Sequence, residues 1–456
     1  MITYWLITIF VVIIIWGTGF LALAIFKPLI SEPKKLILAP LSWFTGLFVV
    51  AVFSYIVFFL SLFGLPYNYI YTIMLIFCFL LLFRIPIYNN IKTSKIDFSE
   101  FKIFNIKTDF HDLWVPVIAL LCLLPYSVFT VNAVKPAWAW DAFMIWSFKA
   151  KLLFYNILDL SLLTNPSYSY AHLDYPLFVP LVESFAAQFI GVFDERFFQI
   201  IFSITFLNFC MMIFGVARTY IKGPFSAYVV LPFIAAPVMI LNYVGAYVDC
   251  VIAAYHLIAV FYLYQFLQGE KVEYKYLIPA GIAMASLFMI KNEGSLINLT
   301  LFIISVITAV LFIKDYKKRV KYLIYMFLFA LVFHLPWVII TKTLGITNRF
   351  ISVDILNSTN WMEQLSEIPT IISFLFFENL FKIEFWGAIF FIYIVFVAVG
   401  IITREYFNTV FFVGAFILNI SGVILTYVIS PHDVVVHMTS SFDRVVLSLL
   451  PLVICY

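Results

Sequence analysis

Charge is what this chain lacks. Only 11% of its 456 residues are Asp, Glu, Lys or Arg, while 64% are hydrophobic and 20% aromatic. A water-soluble domain carries about a quarter charged and about half apolar residues, so a soluble globular fold is excluded. With 27 basic against 24 acidic residues, the net charge of +3 leaves no electrostatic footprint for nucleic acid. Cysteine is nearly as scarce. Cys78, Cys122, Cys210, Cys250 and Cys455 sit in or beside apolar runs with no CxxC spacing, which reads as small buried hydrophobes. A basic n-region and a small-residue cleavage site are also missing around the first apolar run, 2–26. That run is expected to be a retained helix and not a signal peptide.

What is present is a series of apolar runs, with a mean hydropathy of +1.07 over the chain. Each run is roughly twenty residues, enough to cross a hydrocarbon core of ~30 Å. The expectation is an all-α polytopic membrane protein with about thirteen segments. They fall roughly at 4–26, 40–64, 68–86, 113–133, 196–217, 225–243, 248–267, 277–290, 295–313, 322–341, 384–402, 407–428 and 441–456. Basic residues set the orientation. Lys27, Lys34 and Lys35 follow the first segment, Arg84, Lys92, Lys95, Lys102 and Lys107 the third, and Arg218 and Lys222 the fifth. Lys271 and Lys275 follow the seventh, Lys314, Lys317, Lys318, Arg319 and Lys321 the ninth, and Arg404 the eleventh. The N-terminus is therefore expected outside and the C-terminus inside. The stretches 134–195, 341–378 and 430–444 become external. Amphipathic pattern over 142–153 and 175–190 predicts helices lying along the outer interface. The chain divides by this reading into an N-terminal three-helix part, 1–112, and a larger membrane module, 113–456.

Ionisable residues at the membrane edge need a reason, because burying charge in hydrocarbon is costly. Asp141 stands between aromatic residues in Trp138-Ala139-Trp140-Asp141-Ala142-Phe143. Desolvation would raise its basicity and suit it to accept a proton, and an N-cap for the following helix is the plainer alternative. Asp249, in Gly245-Ala246-Tyr247-Val248-Asp249, carries the same two readings. Lys291-Asn292-Glu293-Gly294 reads as a tight turn whose two charges either serve a ligand or pair internally. Arg444, with Ser440, Ser441 and His437, is expected at the start of the last helix. There it would form a phosphate cradle, or else a capped helix end with a snorkelling arginine. His172 and Asp174 precede Tyr175-Pro176 in the first external stretch. His172, His432 and His437 show no metal-ligand spacing.

These strings resemble the GT-C superfamily of integral-membrane glycosyltransferases over roughly 113–456. Trp140-Asp141-Ala142-Phe143 with Trp146 and Lys149-Ala150-Lys151, then Asp174-Tyr175-Pro176-Leu177 and Pro180-Leu181, resemble the first external loop of that family. Gly245 to Asp249 resembles its second acidic motif, Lys291 to Gly294 a Lys-Asn-Glu-Gly turn, and His437 to Arg444 a C-terminal motif with a hydroxyl pair and an arginine. The chain departs from oligosaccharyltransferases in having no Trp-Trp-Asp-Tyr-Gly motif and no large soluble C-terminal domain.

The resemblance implies transfer of a sugar from a polyprenyl-phosphate-linked donor to a glycan, lipid or protein acceptor outside the cytoplasmic membrane. Asp141 takes the place of the base and Asp249 that of its supporting acid. Lys291, Arg444, Ser440, Ser441 and His437 face the donor phosphate, and Trp140, Lys149, His172, Asp174, Tyr175 and Glu293 line the substrate. Two carboxylates are also compatible with a divalent Mg or Mn ion. The rival readings are a polymerase or ligase of lipid-linked oligosaccharides, which usually needs an arginine-rich external loop, and a lipid or solute transporter. The loop 341–378 offers only Lys342 and Arg349, and no matched pair of broken segments marks inverted repeats.

Overall fold

The structure is a computed structural model that describes residues 1–26, 29, 35–94, 114–158, 160–221, 225–346, 365–430 and 433–456. Lys27, Lys34, Lys95, Lys102, Lys107, Lys222, Arg349, His432 and the part 347–364 of the expected loop 341–378 lie outside the described residues. All regular structure among the described residues is helical. Among the described residues, eight helices are long and apolar enough to cross a membrane, or nine if the pair Tyr69–Leu82 and Arg84–Thr93, bent by 64°, is one span. Several other expected segments form shorter apolar helices, among them Ile389–Ile402. The expected segment 225–243 is two pieces, Phe225–Ile234 and Pro237–Val244.

The chain forms two compact units. Unit 1 holds 1–171, 177–234 and 243–248; unit 2 holds 172–176, 235–242 and 249–456. Unit 1 runs across the sequence division at 112, since the first helices share it with 134–171 and 177–195.

In unit 1, α1 (Ile2–Ala24) and α2 (Lys35–Ser61) pack backbone to backbone. A Cβ on Gly19 would collide with the Ser42 carbonyl and Gly46, and one on Gly46 would collide with the Ile15 carbonyl. Hydrocarbon tails are as apolar as leucine, so close van der Waals approach through small residues supplies the association that burial cannot. Polar bonds add register. The Trp16 indole donates to the Ala39 carbonyl at 3.0 Å, and the Trp43 indole to the Thr205 hydroxyl at 3.1 Å. After the bent pair α3 (Tyr69–Leu82) and α4 (Arg84–Thr93) come α5 (Trp114–Val134) and α6 (Phe148–Phe154). Then follow α7 (Phe178–Ile190) and α8 (Ile200–Tyr220). From α5, the Asn132 amide donates to Ser203 and to the Tyr243 carbonyl, each at 3.1 Å.

One expectation fails in α7. Its amphipathic pattern suggested an interfacial helix, yet eleven of its thirteen residues are buried, against α6 and α2 among others. A helix sheltered by protein and one lying on lipid headgroups show the same periodicity. The Gln188 side chain also anchors it, accepting from the Tyr69 N–H at 2.8 Å and donating to the Tyr67 carbonyl at 3.2 Å.

Unit 2 is built around α9 (Asp249–Gln268), buried along almost its whole length. Against it pack α10 (Leu277–Ile290), α11 (Glu293–Phe312), α15 (Val434–Leu447) and α16 (Leu450–Cys455), while α12 (Tyr316–Thr343), α13 (Ile389–Ile402) and α14 (Gly414–Val428) complete the unit. The C-terminal carbonyls of α9 are closed by the buried Arg319 guanidinium, which donates to Phe266 and Gly269. A cation there also complements the negative end of the helix dipole. Deeper in α9, His256 Nδ1 lies 2.5 Å from the Ser448 carbonyl. A carbonyl only accepts, so this nitrogen carries the proton.

Candidate functional site

The candidate site of unit 2 assembles from three separated pieces of chain. The five-residue segment 172–176 contributes its side chains to unit 2 although its flanks belong to unit 1. Asp249 opens α9, and the Lys291-Asn292-Glu293 turn joins α10 to α11. At the centre is Lys291, 7% exposed. Its ammonium donates to Asp249 at 3.0 Å, pairs with Glu293 at 2.9 Å and stands 5.6 Å from the centre of the Tyr175 ring. Asp174, also buried, accepts from the Asn292 amide at 2.8 Å, while its backbone carbonyl accepts from the Trp337 indole of α12 at 2.8 Å.

Local physics explains each placement. Asp249 in the first turn of α9 meets the positive end of the helix dipole. Its carboxylate also accepts from the Lys291 ammonium. Gly294 closes the expected tight turn, its N–H donating to the Lys291 carbonyl at 2.9 Å, and it also lies in the first turn of α11, where a Cβ would strike the Leu287 carbonyl. The glycine therefore lets α11 come close enough to α10 for the turn to present Lys291 inward. His172 adopts a left-handed backbone, φ 47°, and its ring stacks on Tyr175 at 4.8 Å. The stacked pair forms an aromatic wall beside the ammonium.

The electrostatics are lopsided. Desolvation pulls the Lys291 pKa down, but Asp249, Glu293 and Tyr175 outweigh it and hold the ammonium well above its ordinary range, with Arg444 opposing. Burial first, and Glu293 second, push the Tyr175 hydroxyl well up. Asp249 and Glu293 thus face Lys291, and Asp249 also feels Arg444. Lys291 is already committed to two carboxylates, so it is first a positioning group and a phosphate would have to break that pair to reach it.

The C-terminal motif differs from expectation. The last helix starts earlier, at Val434, capped by Asp433, whose carboxylate accepts from the Val436 N–H at 3.0 Å. Arg444 accordingly lies in the last turn of α15 and not at a helix N-terminus, and its guanidinium donates to the Ser440 carbonyl at 2.9 Å. Ser440 and Ser441 donate back to the His437 carbonyl at 2.9 and 2.8 Å, and Ser441 also meets the Tyr427 hydroxyl at 2.9 Å. His437 Nδ1 is 2.9 Å from the Ser430 hydroxyl. The expected cradle of two hydroxyls on a helix N-terminus is not formed. Arg444 remains, through its electrostatic reach to Lys291.

Asp141, Trp140 and Lys149 belong to unit 1. Asp141 is itself helical, φ −63° and ψ −41°, and its side chain makes no cap bond, which removes the N-cap reading. A π-helical turn, Ala142–Ser147, follows it, where the Phe148 N–H reaches back to the Phe143 carbonyl. Such turns often accompany functional sites. Trp138 and Trp140 are 56% and 62% exposed, so neither supplies the enclosing wall expected around Asp141. Lys149 is wholly buried with its ammonium 5.2 Å from the Trp146 ring centre.

Sequence reasoning missed Glu183, on α7, which is buried with one carboxyl oxygen unsatisfied. Burial, then the nearby Glu195, push its pKa well above the usual carboxylate range despite a hydrogen bond with Ser147. A lone acid within the apolar run 177–187 was the available signal. It also missed Trp337. Among the described residues no cluster of three or more His, Cys, Asp or Glu is arranged to hold a metal ion. No protein family model, curated protein or solved structure matches the chain.

Proposed function

We propose that the chain is a membrane glycosyltransferase of GT-C type. It would move a sugar from a polyprenyl-phosphate donor to a glycan, lipid or protein acceptor at the extracytoplasmic face of the cytoplasmic membrane, in a topology of about thirteen segments. The observation that carries the reading is the buried meeting of Asp174, Tyr175, Asp249, Lys291, Asn292 and Glu293 within unit 2. These residues come from three of the motifs on which the resemblance rests. Carboxylates, an amide and aromatic faces are also the groups that recognise a polyhydroxylated ligand.

The chemistry asks for little acid assistance, because a polyprenyl phosphate leaves readily. The acceptor oxygen forms its bond to the anomeric carbon as the bond from that carbon to the phosphate oxygen breaks, with inversion. The acceptor proton passes to a base and the phosphate keeps the bonding pair. The base is assigned to Asp141 on the strength of the resemblance. Asp249, held by Lys291, orients hydroxyls, and Arg444 is the cation left for the departing phosphate.

The test is to incubate the purified protein in lipid nanodiscs with a panel of polyprenyl-phosphate sugars and follow donor consumption. Wild type should consume one donor, and Asp141→Asn should lose on the order of 100-fold or more in turnover. Full turnover by Asp141→Asn removes the base assignment. Passage of an intact donor or solute across sealed vesicles, with no sugar transfer, replaces the enzyme by a transporter.

A further inference from the structure

A second feature of unit 2 is remote in sequence from the motifs above. Between α11 and the start of α12 lies a groove of about 370 Å³ lined by Val306, Val310, Val320 and Ile324 along its length. Tyr316, Lys317, Lys321 and Tyr325 complete its lining. This volume is within the range of ~300–1,000 Å³ typical of small-molecule sites. The lining contains no acid. Lys317 and Lys321 are both exposed and lie four residues apart, hence on one helix face. Like charges so spaced repel one another unless an anion sits between them.

Three further observations bear on the occupant. The nearest acid in sequence, Asp315, acts on the buried Arg319, whose guanidinium is used by the carbonyls of Phe266 and Gly269. The first turn of the 28-residue helix α12 adds the positive end of its dipole beside Lys317. Around the groove the surface is apolar and exposed: Val310 is 50%, Leu311 63% and Ile324 40% exposed. An apolar slot opening on such a surface, with two exposed lysines and two tyrosines among the residues that line it, has the two-part chemistry of a membrane lipid. Basic pockets between transmembrane helices take acidic headgroups in this way.

We propose that this groove binds one anionic phospholipid, its phosphate between Lys317 and Lys321 and an acyl chain along Val306, Val310, Val320 and Ile324. The occupant is a lipid and not free phosphate because the groove is mostly hydrocarbon. Tyr325, whose ring lies 5.6 Å from the Lys321 ammonium, steadies that lysine at the headgroup level.

The experiment uses the full chain purified in detergent, with phosphatidylglycerol and phosphatidylcholine offered at equal concentration and retention measured by native mass spectrometry. Wild type should retain phosphatidylglycerol selectively. Lys317→Gln with Lys321→Gln should weaken that retention on the order of tenfold or more, since each lysine is removed from an anionic contact. Both lysines are exposed, so the unliganded thermal midpoint serves as the folding control. Val310→Trp keeps both charges and should lose retention by filling the slot. The proposal is overturned by equal retention of the two lipids in wild type, or by undiminished phosphatidylglycerol binding in either variant. Displacement of the lipid by equimolar inorganic phosphate also overturns it, because the headgroup alone would then suffice.

Discussion

Lys291 is held by two carboxylates and an aromatic face in a buried setting. Removing one partner of a buried ion pair leaves the others uncompensated, at a cost of ~3–5 kcal/mol. Lys291→Met should therefore destabilise unit 2 by about that much, read as the unfolding midpoint in mixed micelles. Lys291→Met with Asp249→Asn should recover part of the loss. A single variant as stable as wild type would deny the pair its structural role. Glu183 gives the pH dependence. Its folded pKa stands well above the ordinary 4.5, so the folded chain keeps a proton that the unfolded chain releases. The stability it contributes is complete below the unfolded value and is lost as pH rises from there towards the folded one. Glu183→Gln imitates the neutral acid, so its thermal midpoint should exceed that of wild type at pH 8 and converge with it near pH 4. Parallel midpoints across that range would show that Glu183 does not titrate with folding. Of these residues, Asp249, Lys291 and Glu293 were legible as charges at the ends of apolar runs. Trp337 was not, because a long-range hydrogen bond leaves no mark on local periodicity.

At the scale of elements, the contact of α1 with α2 provides a test with its own control. Gly19 and Gly46 meet backbone to backbone, whereas nothing lies within 4 Å of a Cβ on Gly17. Gly19→Leu should cost at least ~1–3 kcal/mol by overpacking, and Gly17→Leu should cost close to nothing. Equal thermal midpoints for the two variants in the same detergent would refute the close approach. The existence of the long helices was legible because an apolar run long enough to span is a direct consequence of hydrocarbon thickness. Their ends were less so. The Val434-Val435-Val436 run before His437 reads equally as loop or helix until Asp433 is recognised as its cap. The misplaced start moved Arg444 from the last turn to the first. The surroundings of α7 were illegible for a different reason: an amphipathic stripe states how much is covered and not what covers it.

For the molecule as a whole, the basic loops still carry the only argument for sidedness, and labelling can test it. In a background without the exposed Cys78, Ser167→Cys and Lys317→Cys each add one thiol at an exposed position. A membrane-impermeant maleimide should label Ser167→Cys on intact cells, and Lys317→Cys only after permeabilisation. The opposite pattern inverts the chain and removes the extracytoplasmic site.

The segment 172–176 also sets an order of events during synthesis. Asp174 reaches its amide partner 118 residues later and its indole partner 163 residues later. At ~5–20 residues per second, the nascent chain waits roughly ten to thirty seconds before Trp337 exists to receive it. The side chain waits less, since Asn292, which donates to its carboxylate, is made roughly six to twenty-four seconds after it at that rate. The buried setting of Asp174 is therefore completed in two stages, its carboxylate when the turn after α10 has been made and its carbonyl when α12 has.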